Sequence, residues 1–130
     1  MPQTEVVFYK DEDGTVPVRD WLQAFQQSNR RAFAKCVARI QRLADLGHEL
    51  RRPEADLLRD GIYELRAKYS HVQYRVLYFF SGRTTAVLAH AITKKDAVPD
   101  VEIDRAVRRK AAFLQDPETH SCSLRDQGNG

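Results

Sequence analysis

The stretch from Gly61 to Pro99 limits what this chain can fold into more than any other part of it. It reads GIYELRAK, VQYRVLYFF and TTAVLAHAITKKDAVP in succession, three runs rich in β-branched and aromatic residues. The connections Tyr69–His71 and Ser81–Arg83 are short enough for hairpins. Ile62–Lys68, Val72–Phe80 and Thr84–Ile92 are therefore expected as an antiparallel meander. Side chains two apart on a strand share a face. Glu64 and Arg66 thus point one way, and Tyr63 and Leu65 the other. The following runs add Arg75, then His90, Lys94 and Lys95.

The flanks supply the rest of the core. Glu5–Tyr9 (EVVFY) reads as a first strand that joins the meander. Pro17 suits the first turn of a helix, and Val18, Trp21, Leu22 and Phe25 follow with helical period. Ser28 or Asn29 can cap a second helix, whose apolar positions Phe33, Cys36, Val37, Ile40, Leu43 and Ala44 run until Gly47. Its opposite face carries Arg30, Arg31, Lys35, Arg39 and Arg42 and reads as solvated surface. Arg51–Leu58, with Pro53, is expected as a loop. Pro99 and Asp100 open a last helix with Ile103, Ala106, Val107 and Phe113 or Leu114 inward. Residues 1–114 form one domain, and residues 115–130, polar and ending NG, read as a disordered tail. The two early helices should pack on one face of the sheet, leaving the other for water or a ligand.

Composition excludes more than it identifies. Two cysteines without CxxC spacing give no disulfide framework, and the four histidines have no metal-ligand spacing, so no metal is expected. The N-terminus has no apolar leader and no run reaches the length of a membrane span, which reads as a cytoplasmic protein without a membrane partner. The net charge is only +3, but residues 115–130 are acidic, so the basic excess lies in residues 1–114. A sheet with Arg and Lys planted on one face suits a polyanion, RNA foremost.

The segments LRDGIYELR, YRVLYFF and LAHAITKKDAVPDVEIDRAVRR, in this order, resemble the phage-derived HigB-like branch of the RelE/ParE toxin superfamily. The likeness spans about residues 5–112. It implies an α+β, RelE-like fold of the microbial-RNase type, an antiparallel sheet with two N-terminal helices on one face and a C-terminal helix. It implies the toxin of a type II toxin–antitoxin pair, a metal-independent endoribonuclease that needs no cofactor and cuts mRNA on the translating ribosome. The implied partners are a cognate antitoxin of helix-turn-helix type, the ribosome and mRNA. Carried over by motif, Arg66 of ELR, Arg75 of YR, and Lys94 with Lys95 of KK are the expected working positions. Some relatives place a tyrosine shortly after the basic pair; this chain has DAVPD there. Two other readings stay open, a ParE-like inhibitor of DNA gyrase and an inactive nucleic-acid-binding relic of the fold.

RNA carries its own nucleophile, the 2′-hydroxyl. A protein that cuts it without metal must align that oxygen with the phosphorus, move protons, and stabilise the phosphorane charge. Arg66 and Arg75 suit the charge, being permanently cationic and able to grip two phosphate oxygens at once. Lys94 and Lys95 can neutralise the phosphate or carry a proton. Glu64 and His90 are the other proton-transfer candidates, each with a structural alternative as an ion-pair partner or a satisfied histidine.

Overall fold

Alternating strands and two amphipathic helices assemble as the periodicity predicts, with additions at both edges of the sheet. The computed structural model describes residues 4–93 and 97–124. In chain order the elements are β1 (Glu5–Tyr9), α1 (Pro17–Phe25), α2 (Arg30–Leu46), β2 (Ala55–Arg59), β3 (Ile62–Tyr69), β4 (Val72–Ser81), β5 (Thr85–Thr93), α3 (Asp100–Gln115) and β6 (Ser121–Ser123). They form one sheet in the order β2-β3-β4-β5-β1-β6. The expected meander is β3-β4-β5, and β1 lies parallel to β5 while the other pairs are antiparallel. The architecture is α+β and compatible with a RelE-like fold.

Each face of the sheet is covered by helix, for a reason visible in the pattern. Val18 and Leu22 of α1 and Ala32, Cys36, Ile40 and Leu43 of α2 recur at helical period and are buried. They pack on Phe8, Leu65, Val76, Tyr78 and Leu88. Asn29 is the cap of α2, its Oδ1 accepting from the Ala32 amide at 3.2 Å. Burial pushes the Cys36 thiol up to about 12, so it stays a neutral core residue. On the opposite face Ile103, Ala106 and Phe113 of α3 pack on Val7, Ile62, Leu77, Phe79 and Val87. Phe113 is the inward residue and Leu114 is exposed. Full burial of a side chain such as Leu77 or Phe79 contributes about 1.5–3 kcal/mol. The face expected to be open is therefore largely closed by α3. Beside α3, polar side chains hold this face on β3 and β4, at Glu64, Arg66, Lys68, Gln73 and Arg75.

Two stretches depart from the sequence expectation. Part of Arg51–Leu58 is not loop: β2 runs from Ala55 to Arg59 and pairs with β3. Asp60 and Gly61, with φ of 54° and 76°, make the tight two-residue turn between them. Where a disordered tail is expected from Gln115, α3 runs to Gln115 and Ser121–Ser123 pairs with β1. Cys122 is buried there, His120 stacks on Tyr9 at 5.2 Å, and His120 Nδ1 donates to the Lys10 carbonyl at 2.7 Å. A polar segment is thus held by backbone pairing along the free edge of β1, a force that composition does not report. Residues 125–130 lie outside the described residues. Among the described residues no helix is long and apolar enough to cross a membrane.

Candidate functional site

Arg66 on β3 and Arg75 on β4 are direct cross-strand partners. Like charges placed opposite each other in a sheet repel. Glu64, two positions before Arg66 on the same face, resolves the conflict. Its Oε1 accepts from Arg66 Nε at 2.7 Å, and its Oε2 accepts from Arg75 Nη1 in a short contact. Glu64 is only 1% exposed. A carboxylate so enclosed must be paired to be tolerated at all, and here two guanidinium groups share it. Asp56 of β2 adds a weaker contact to Arg66 Nη2 at 3.5 Å and binds Arg52 at 2.9 Å. Its carboxyl lies below the usual range, chiefly through the Arg52 hydrogen bond.

Above this triad the sheet opens into a cleft of about 370 Å³ lined by Leu58, Glu64, Arg66, Gln73, Arg75, Ala97 and Val98. The walls are apolar and the floor is charged, so a bound anion would be partly shielded from water. Arg66 keeps about a third of its side chain exposed, whereas Arg75 is nearly buried. Arg75 Nε is buried without a hydrogen-bond partner among the described residues.

His90 is placed elsewhere. A bulge in β5 sets His90 opposite Leu77 while Leu88 sits opposite the next residue, Tyr78. The extra residue sets both the Ala89 carbonyl and the His90 ring toward α3. Arg109 Nη1 donates to the Ala89 carbonyl at 2.8 Å and lies 3.1 Å from His90 Nδ1. A guanidinium can only donate, so Nδ1 accepts and the ring proton sits on Nε2, which donates to Glu102 Oε1 at 2.9 Å. Burial, with Arg109 and Arg105 adding to it, lowers the His90 pKa against the opposing pull of Glu102. The ring is a neutral link between β5 and α3, and it does not line the cleft.

The structure therefore brings together Glu64, Arg66 and Arg75 and sets His90 apart. Lys94 and Lys95 lie outside the described residues. Ala97 and Val98, just after them, line the cleft. Sequence reasoning missed Asp56, Leu58 and Gln73. The Asp60–Gly61 pair, a strong hairpin signal ahead of an apolar run, marks β2 and so could have found the first two.

Two outcomes follow from these contacts. Glu64→Gln leaves two guanidinium groups against a neutral amide and should cost about 3 kcal/mol or more in urea unfolding. Glu54→Gln, in a more exposed pair with Arg42, should cost about 1 kcal/mol or less. Equal losses would contradict the assignment. For His90 the folded pKa is depressed below its ordinary value of 6.5, so the unfolded chain binds more protons. That part of the stability is complete above the ordinary value and is lost as pH falls below it. The advantage of wild type over His90→Asn should therefore shrink between about pH 7 and pH 5. A difference independent of pH would mean that folding leaves the His90 pKa unshifted, and an advantage that grows as pH falls would mean that the folded state holds the ring charged.

The comparison with known families agrees with this architecture. The family model described as phage derived protein Gp49-like (DUF891) matches residues 20–111, from α1 nearly to the end of α3. No curated protein matches the chain. The matched span contains Glu64, Arg66 and Arg75 together with both walls of the cleft. The chain belongs to the phage-derived Gp49-like family, a RelE/HigB-type family of toxin-like proteins.

Proposed function

We propose that this protein is a HigB-like toxin of a type II toxin–antitoxin pair, an endoribonuclease that cuts mRNA on the translating ribosome in the cytoplasm. The observation that carries the reading is the buried Glu64 holding Arg66 and Arg75 at the floor of a cleft, with Arg75 Nε unmatched among the described residues. A gyrase inhibitor has no evident use for such an arrangement. A phosphodiester does.

In this reading the scissile phosphate lies over the two guanidinium groups. The 2′-oxygen attacks the phosphorus as its proton is removed, and the extra negative charge of the phosphorane falls on Arg66 and Arg75. The bond from phosphorus to the 5′-oxygen then breaks, that oxygen takes up a proton, and a 2′,3′-cyclic phosphate is left. Their orientation is set before substrate arrives, so little reorganisation is needed as charge develops. Glu64 is a positioning residue, because both of its oxygens are committed to holding the arginines. His90 positions α3 through Glu102 and Arg109, which leaves Lys94 or Lys95 to move the proton. No metal or cofactor enters this scheme. A helix-turn-helix antitoxin would silence it, and gene pairing with such a protein would agree.

The test is cleavage of mRNA on programmed ribosomes by the purified, antitoxin-free protein. Discrete cuts are expected, with rates about 100- to 1000-fold lower for Arg75→Ala and Lys94→Ala. Intact mRNA with folded wild-type protein would overturn the proposal. Gyrase poisoning in its place would favour the ParE-like reading.

A further inference from the structure

The basic face of α2 is brought to the cleft by a specific contact. β2 pairs with β3 from Ile62 to Leu65, and beyond that point the edge of β3 is met at Arg66 by Glu54 and Arg39. The Arg66 amide donates to the Glu54 carbonyl at 2.8 Å, and Arg39 Nε donates to the Arg66 carbonyl at 2.9 Å. An arginine of α2 thus reaches around the sheet edge to a residue of the candidate site.

A second hollow, of about 270 Å³, lies there, lined by Arg39, Pro53, Arg66, Lys68 and Gln73. It meets the cleft at Arg66 and Gln73, which line both. None of its lining residues is acidic. Glu54, the nearby carboxylate, is shared by Arg39 and Arg42 at 3.0 and 2.9 Å, so positive charge remains in excess. Lys68 is exposed and has no ion pair or hydrogen bond among the described residues. It shares a strand face with Arg66 two positions before it, a separation of about 7 Å. Adjacent phosphodiesters of an extended single strand are separated by a similar distance. On α2, Lys35 and Arg31 lie one and two turns before Arg39 on the same stripe, and both are exposed.

We propose that Arg39, Lys68 and Gln73 form a binding subsite for the phosphate next to the scissile one, so that single-stranded RNA leaves the cleft across the β3 edge and continues along Lys35 and Arg31. The Gln73 amide, both donor and acceptor, suits the ribose 2′-hydroxyl of that nucleotide. This inference rests on the nuclease reading and adds a direction to it. The strand runs toward α2 and away from the Arg105–Arg108–Arg109 cluster of α3.

The test is fluorescence anisotropy with a non-cleavable 2′-O-methyl RNA hexanucleotide across a salt series, alongside the ribosomal cleavage assay. Arg39 is left intact because it also holds the Arg66 carbonyl and Glu54. Lys68→Gln and Lys35→Gln change exposed side chains and should leave the fold unaltered by circular dichroism. Each is expected to weaken binding several-fold at low salt. Each should also reduce the slope of log affinity against log salt by about 0.7. Arg108→Gln should change neither. Unchanged affinity and slope in both variants, with wild-type cleavage intact, would overturn the subsite and leave the nuclease reading standing. Absence of both cleavage and binding by wild type would overturn the two together.

Discussion

A carboxylate closed off from water between two arginines is the constraint on which the rest of this structure depends. Glu64 is buried beside the apolar wall of Leu58 and Val98, and it is tolerated there because Arg66 and Arg75 are both held against it. Arg66 and Arg75 in turn cannot sit opposite each other in a sheet without Glu64 between them. The three residues thus fix the register of β3 on β4 as firmly as the apolar alternation does. A slip of β4 by one residue would turn Arg75 into the face packed on α1 and α2 and bring Val76 and Tyr78 to the side of Glu64. The same geometry prepares the guanidinium groups for an anion, so the fold and the proposed chemistry draw on one interaction.

The chain is rich in cations, yet many of those among the described residues are already paired. Arg42 is spent on Glu54, Arg59 on Asp60 and Asp104, and Arg52 on Asp56. Arg59 also ties the β2–β3 turn to the start of α3, and Lys110 reinforces that link through the Asp60 carbonyl at 2.9 Å. Arg109 is taken up by the Ala89 carbonyl, by His90 and by the face of Tyr9. Counting arginines and lysines therefore overstates the polyanion surface. What discriminates is which cations border a hollow with donors unspent, and by that measure Arg75 and Lys68 stand out.

Much of the fold was legible in the sequence because alternation and helical period are local signals. They placed the meander, β1, α1 and α2, and they put Glu64 and Arg66 on one face. What was not legible depended on partners distant in sequence. β6 is polar and short, and it exists because β1 offers a free edge. The coverage of the second face by α3 follows from Ile103, Ala106 and Phe113 meeting Leu77 and Phe79, a choice of face that one helix pattern cannot state. The bulge beside His90 is a two-strand property, and strict alternation from Leu88 would have turned His90 away from α3. Of the candidate site, the arginine pair could be read directly. That Glu64 is buried could not, because an acidic residue in an alternating strand looks the same when it faces solvent.

The central claim is that the Glu64-held arginines receive a phosphate. It is tested most directly by following the Nε–H resonances of Arg66 and Arg75 by NMR while a non-cleavable RNA oligonucleotide is added. The account predicts that the Nε–H resonances of Arg66 and Arg75 both shift as the oligonucleotide binds, with Arg109 unchanged. Arginine resonances that stay fixed while the oligonucleotide binds elsewhere would contradict it.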